Sequence, residues 1–125
     1  GTSDSEKRAL YWQGFSEIVR RLSVAGKRIV ILEPVPEIRK HINKYILLAA
    51  AADDHLPTIS RTAHDEITAE VMARLATYPG ARLGGGKALC DDTTCYGAGP
   101  EGSYYFDNNH PSVLGAAKLV ERWLE

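Results

Sequence analysis

Apolar positions along the chain follow two different spacings. Tyr11, Phe15, Ile18 and Leu22 recur at helical intervals in an otherwise polar stretch, which predicts a helix over about residues 6–25 with these four on its core face. Ser3 and Glu6 have the spacing of a capping box at its start, and Gly26 supplies a left-handed stop at its end. Ile29, Val30, Ile31 and Leu32 then break the helical spacing with an unbroken apolar run, the pattern of a strand covered on both faces in a parallel sheet. Pro34 and Pro36 end the strand, and Pro36 is placed to open a second helix along which Ile38, Ile42, Ile46 and Ala49 align.

Residues 51–60, with Asp53, Asp54 and Pro57, read as a loop. A third helix is expected over about 62–77, marked by Ile67, Val71 and Leu75, and Tyr78-Pro79-Gly80 signals a turn after it. Residues 81–90 form a weak strand broken by Gly84-Gly85-Gly86. In a closing helix, Val113, Ala117, Val120 and Leu124 make an apolar stripe expected to anchor it to the core. Helices alternating with apolar strands predict an α/β fold, a helix-covered parallel sheet with right-handed crossovers, in one unit spanning residues 1–125. No internal repeat or low-complexity tract interrupts it.

Composition narrows the functional classes. A chain of 125 residues with 44% hydrophobic content and a formal net charge of −1 suits one globular unit with a modest core, and its near-neutral balance argues against a nucleic-acid partner. The longest apolar patch, residues 45–52, falls well short of the roughly 20 residues that cross a bilayer. Any export signal or membrane attachment is expected upstream of Gly1.

The chemistry concentrates in Tyr104-Tyr105-Phe106-Asp107-Asn108-Asn109-His110-Pro111-Ser112. Pro111 suits the first position of the closing helix and pushes His110 into an extended conformation ahead of it. Asp107, three residues earlier, can fold back to accept from the imidazole, fixing its tautomer and stabilising the cation formed when the other nitrogen takes a proton. Asp107 and His110 are therefore the candidate catalytic residues. The same pair also fits a helix cap without chemistry. Tyr105 is an aromatic beside the pair that could flank a ligand.

Cys90 and Cys95 bracket Asp91-Asp92-Thr93-Thr94, a spacing that is neither a redox C-x-x-C nor a complete zinc site. A short-loop disulfide formed in an oxidising compartment is the reading they favour, against two free thiols in a cytosolic protein. Asp53, Asp54, His55 and His64 are polar-loop residues rather than a convergent ligand set, so no metal is expected. Gly84-Gly85-Gly86 lacks the Lys-Ser or Lys-Thr of a phosphate-cradling loop.

Asp-x-x-His-Pro-Ser-x-x-Gly-Ala over residues 107–116, with Leu89 to Cys95, a Gly-rich turn and Tyr105 ahead of it, resembles the last block of the SGNH hydrolase and acyltransferase superfamily. It is similar in particular to the extracytoplasmic SGNH domain fused behind integral-membrane acyltransferases of family three, and Glu33-Pro34-Val35-Pro36 after an apolar strand fits as well. The resemblance runs from about residue 10 onward and implies a flavodoxin-like fold. It also implies a serine nucleophile, His110 as its base, Asp107 as the orienting acid, and no cofactor.

The family's Gly-Asp-Ser motif and its oxyanion-hole glycine and asparagine blocks are not recognisable here, and Thr2-Ser3-Asp4-Ser5 follows no apolar strand. The chain is thus expected to be the C-terminal part of the domain and inactive by itself. Its implied partners are an acyl donor, a carbohydrate acceptor and an upstream transmembrane acyltransferase domain, on the periplasmic or extracellular face of the membrane. Exposed sheet edges make a homodimer of the chain a further expectation. A carbohydrate esterase, or a non-catalytic interaction module on the same scaffold, are the alternatives.

Overall fold

The computed structural model describes residues 1, 3–38, 57–84 and 88–124. Helix α1 spans Asp4–Val24. Its capping box forms as the sequence predicts: the Glu6 amide donates to Ser3 Oγ at 3.3 Å, and the Ser3 amide donates to the Glu6 carboxylate at 2.7 Å. At the other end Gly26 takes φ 69°, while its own N–H and that of Lys27 reach back to the Ser23 and Leu22 carbonyls.

The core face of α1 differs from the expected one. Tyr11, Ile18 and Leu22 are exposed, and the inward contacts come from Trp12, Phe15, Ser16 and Val19. At 3.6 residues per turn the Trp12–Ser16–Val19 row lies roughly a quarter turn from the predicted stripe. Tyr78 sets this rotation, because its ring packs on Trp12 and Phe15 and its hydroxyl lies 2.6 Å from that of Ser16.

Strand β1, Val30–Leu32, pairs in parallel with β3, Ala81–Leu83, with Ile31 opposite Arg82. Only Ile31 of β1 is buried, so the strand is covered on one face among the described residues rather than on both. Between them, the segment read as a loop contributes β2, Thr58–Ser60, which pairs antiparallel with β4, Thr94–Tyr96. The period-two signal needs four or more residues to show, and these strands have three each. A third small pair, β5 (Ala98–Gly99) and β6 (Gly102–Ser103), is also antiparallel. The chain is α/β, with one parallel pair beside two antiparallel ones that periodicity did not reveal.

Helix α2, Arg61–Leu75, begins with Ser60 Oγ accepting from the Ala63 amide at 3.1 Å, and the Arg82 guanidinium donates to the Leu75 and Tyr78 carbonyls that close it. Residues 36–38 are not themselves helical, and the rest of the expected second helix, with Ile42, Ile46 and Ala49, lies outside the described residues, as do Gly85 and Gly86.

Helix α3, Val113–Leu124, starts two residues later than expected. Its cap is Ser112, whose Oγ accepts from the Gly115 amide at 3.1 Å, with Pro111 in the bridge preceding it. The predicted stripe again points outward: Val113 is 81% and Leu124 82% exposed, and Val120 is exposed too. The opposite side, Gly115, Leu119 and Trp123, packs on the core. The helix is apolar on both sides, so periodicity identified the helix and misassigned its inner face. The core that receives it consists of Ile38, Leu89, Tyr104, Tyr105 and Leu119. No helix among the described residues is long and apolar enough to cross a membrane.

Candidate active site

Residues 104–112 fold as a closed loop. The Phe106 amide donates to the His110 carbonyl at 2.8 Å, Tyr105 bridges Pro111, and the Ser112 amide donates to the Tyr104 carbonyl at 2.9 Å. At its tip Asp107 Oδ1 accepts from the amides of Asn109 and His110 at 2.9 and 2.8 Å, an aspartate turn of the kind short polar side chains favour. That leaves Oδ2 free to meet His110 Nδ1, 2.7 Å away.

The two amide bonds, joined by the imidazole contact, hold the Asp107 carboxyl down at about 2. An ionised carboxylate at that distance requires a proton on Nδ1, so the neutral ring presents Nε2 as an acceptor. Nε2 has no hydrogen-bond partner among the described residues, and the His110 side chain is 74% exposed. One edge of the base is therefore held and the other is open. Asp107 and His110 do not cap α3: Ser112 does, and Asp107 caps only its own turn.

The loop is fastened to the segment that leaves β1. Tyr105 Oη donates to the Pro36 carbonyl at 2.7 Å, the Ile38 amide donates to the Asn108 carbonyl at 2.7 Å, and Asn108 Nδ2 donates to the Glu37 carboxylate at 3.3 Å. In open α/β sheets ligands bind beyond the carboxyl ends of the strands, and these three bonds place the Asp107–His110 pair there. Tyr105 is thus a core residue rather than an aromatic that flanks a ligand. It is buried to 2% exposure, and burial pushes its phenol well above the ordinary range.

Removing the Tyr105 hydroxyl strands the Pro36 carbonyl. Tyr105→Phe is expected to cost about 1–3 kcal/mol in urea unfolding, and a loss of only a few tenths would show the tether to be idle.

Cys90 and Cys95 are joined by a disulfide, their Cα atoms 3.9 Å apart. Inside its loop Asp91 repeats the arrangement at Asp107: Oδ1 accepts from the Thr93 and Thr94 amides, and Oδ2 accepts from the Tyr96 hydroxyl at 2.6 Å. The Tyr96 hydroxyl and the two amides bring the Asp91 carboxyl to about 2. A backbone relay links this loop to the site, since the residue after Tyr96, Gly97, accepts from the Tyr104 amide, and Tyr104 in turn accepts from Ser112.

The cross-linked loop is short, so its reduction is expected to lower unfolding free energy by about 2 kcal/mol. Unfolding with and without reductant measures this, and identical midpoints would contradict it.

The structure brings Asp107 and His110 together and joins Cys90 to Cys95, as the sequence analysis expected. Sequence reasoning missed the Tyr105–Pro36 tether, for which no local signal exists, and the Ser112 cap, for which a serine next to the apolar run was the available cue. His64 is buried on α2, and among the described residues no three His, Cys, Asp or Glu side chains converge as metal ligands. Asp53, Asp54 and His55 lie outside the described residues.

An α/β chain that presents an aspartate-held imidazole at the carboxyl end of a parallel strand has the architecture of an acid–base hydrolase or transferase domain. The family comparison makes this specific: the model for the SGNH domain fused to AT3 domains matches residues 1–125, and the chain belongs to that family. Among curated proteins and among solved structures, none matches the chain.

Proposed function

We propose that this chain is part of an O-acyltransferase that moves an acyl group, acetyl being the simplest, onto a hydroxyl of cell-surface carbohydrate. The observation that carries the reading is the 2.7 Å Asp107–His110 contact at the carboxyl end of β1. A serine from outside these 125 residues attacks the acyl carbonyl while His110 Nε2 takes its proton, and the imidazolium then protonates the leaving group. The acyl-enzyme is next attacked by the sugar hydroxyl, whose proton passes to Nε2, and collapse returns it to the serine oxygen. Asp107 holds the ring throughout. Family membership beside transmembrane acyltransferase domains favours transfer over free hydrolysis, and the disulfide supports an extracytoplasmic location.

Two measurements test the proposal. Cells lacking the complete protein are expected to lose an ester from their surface glycan, read by mass spectrometry, and unchanged ester content sinks it. The 125-residue chain by itself should turn over p-nitrophenyl acetate no faster than buffer. Robust turnover that disappears on changing Ser3 or Ser5 would overturn the placement of the nucleophile.

A further inference from the structure

A second feature lies at the same end of the parallel pair as the Asp107–His110 loop. A cavity of about 310 Å³ is bounded by Glu33, the residue after β1, and by Gly84, the residue after β3, and its far wall is α2. His64 of α2 lines it and is only 9% exposed, yet among the described residues neither of its ring nitrogens has a hydrogen-bond partner. Its ring nitrogens are open to the cavity, where water or something else satisfies them.

The chemistry of the walls narrows what that something is. Among the described residues Arg61 brings a cation, while Glu33 and Asp65 bring two carboxylates, so these walls carry no excess of positive charge to attract an anion. Burial is the main influence on His64 and disfavours its charged form, more than Asp65 favours it, with Arg61 adding to the same effect. A neutral imidazole donates through one nitrogen and accepts through the other, as a hydroxyl does. Thr68 adds a hydroxyl oxygen that can accept, its proton being donated to the His64 carbonyl at 2.8 Å, and Met72 with Pro34 supplies apolar surface. Donors and acceptors of both kinds on a partly apolar wall suit a neutral polyhydroxylated ring. The volume lies at the lower end of ligand pockets, which start near about 300 Å³, so it holds one ring and not a chain.

We propose that this cavity is a subsite for a single sugar ring, with His64 as its central hydrogen-bonding group. The assignment deepens the acyl-transfer reading and rests on it for the ligand's role. Glu33 and Pro34 line the cavity and Pro36 to Ile38 hold the Asp107–His110 loop. At most about 11 Å of backbone separates Pro34 from Glu37, so the cavity wall and the segment that anchors the loop are neighbours along the chain.

The test uses the full chain with isotope-labelled histidine, the His64 ring resonances being assigned by their loss in His64→Gln. Methyl glycosides of glucose, galactose, rhamnose and N-acetylglucosamine are titrated separately, and inorganic phosphate is titrated in parallel. At least one glycoside is expected to shift the His64 resonances saturably, with the shift weakened about tenfold in affinity in Glu33→Gln, and phosphate is expected to leave them in place. No response to any glycoside, or a response to phosphate alone, overturns the subsite. Because the titration needs no acyl transfer, it fails or succeeds independently of the reaction proposed above. In the complete enzyme the same two variants should raise the KM for the acceptor by about tenfold with a smaller change in kcat, and an unaltered KM in both counts against the assignment.

Discussion

His110→Ala in the complete acyltransferase is expected to lower acyl transfer by about 10⁴- to 10⁶-fold, and Asp107→Asn by about 10³- to 10⁴-fold. The asparagine variant is the more informative of the two. Its amide oxygen can still accept from the Asn109 and His110 amides, so the turn that shapes the loop survives. Its NH₂, however, replaces the oxygen that faces Nδ1, and a donor there forces the ring into the tautomer with its proton on Nε2.

Activity should therefore collapse while the unfolding midpoint barely moves. Asp107→Ala should lose both, since it also releases two backbone amides. The decisive readout is acyl transfer to glycan measured beside urea unfolding, and a His110→Ala enzyme as active as wild type would reduce this loop to a scaffold. The pH dependence has a definite sign. The Asp107 carboxyl is depressed from 3.8 to about 2, so its contribution to stability is present above the unfolded value and is lost only as pH falls through about 2. Asp107 imposes no limb on the activity profile near neutrality.

Gly115→Ala is expected to destabilise the chain by about 3 kcal/mol, against the usual rule. In a helix interior the change normally gains about 1 kcal/mol from propensity. Here an added Cβ would overlap the Tyr104 carbonyl oxygen and stand 2.9 Å from its carbon. That carbonyl cannot swing aside, because it accepts from the Ser112 amide one turn before Gly115, and the same residue carries the Tyr104 side chain into the core. Either α3 lifts off or the loop that carries His110 shifts. Overpacking of this kind costs about 1–3 kcal/mol or more, and urea unfolding of the variant measures it. A variant as stable as wild type would mean that α3 has room to slide. Ala116 next door is exposed, so Ala116→Gly is the matched control and should lose only about 1 kcal/mol.

What was legible in the sequence was local. The capping box at Ser3, the stop at Gly26, the strand at Ile31, the disulfide and the reach of Asp107 to His110 each depend on residues within a few positions of one another. The inner faces of α1 and α3 were not legible, since each helix carries apolar residues on more than one side and Tyr78 and Tyr104, both outside the helices, choose between them. The short antiparallel pairs β2–β4 and β5–β6 are too brief to show a period, and their partners are set by Pro57, Gly97 and the disulfide loop. The bond from Tyr105 to Pro36 joins residues 69 positions apart and leaves no trace in either neighbourhood.

That last bond also governs how a complete site can be put together. Because the His110 loop is fastened to the residues leaving β1, the base is tied to that strand as well as to the helix that follows it. Among the described residues β1 pairs only with β3, so its other edge is where a further strand would join. Strands slip past one another in whole-residue steps of about 3.3 Å, and each step turns every side chain to the opposite face. A hydrogen bond between a serine and Nε2 tolerates only a few tenths of an ångström. On the acyl-transfer reading proposed above, with the serine carried by such a strand, alignment of nucleophile and base would be digital: one register would complete the triad, and a one-residue slip would separate its members.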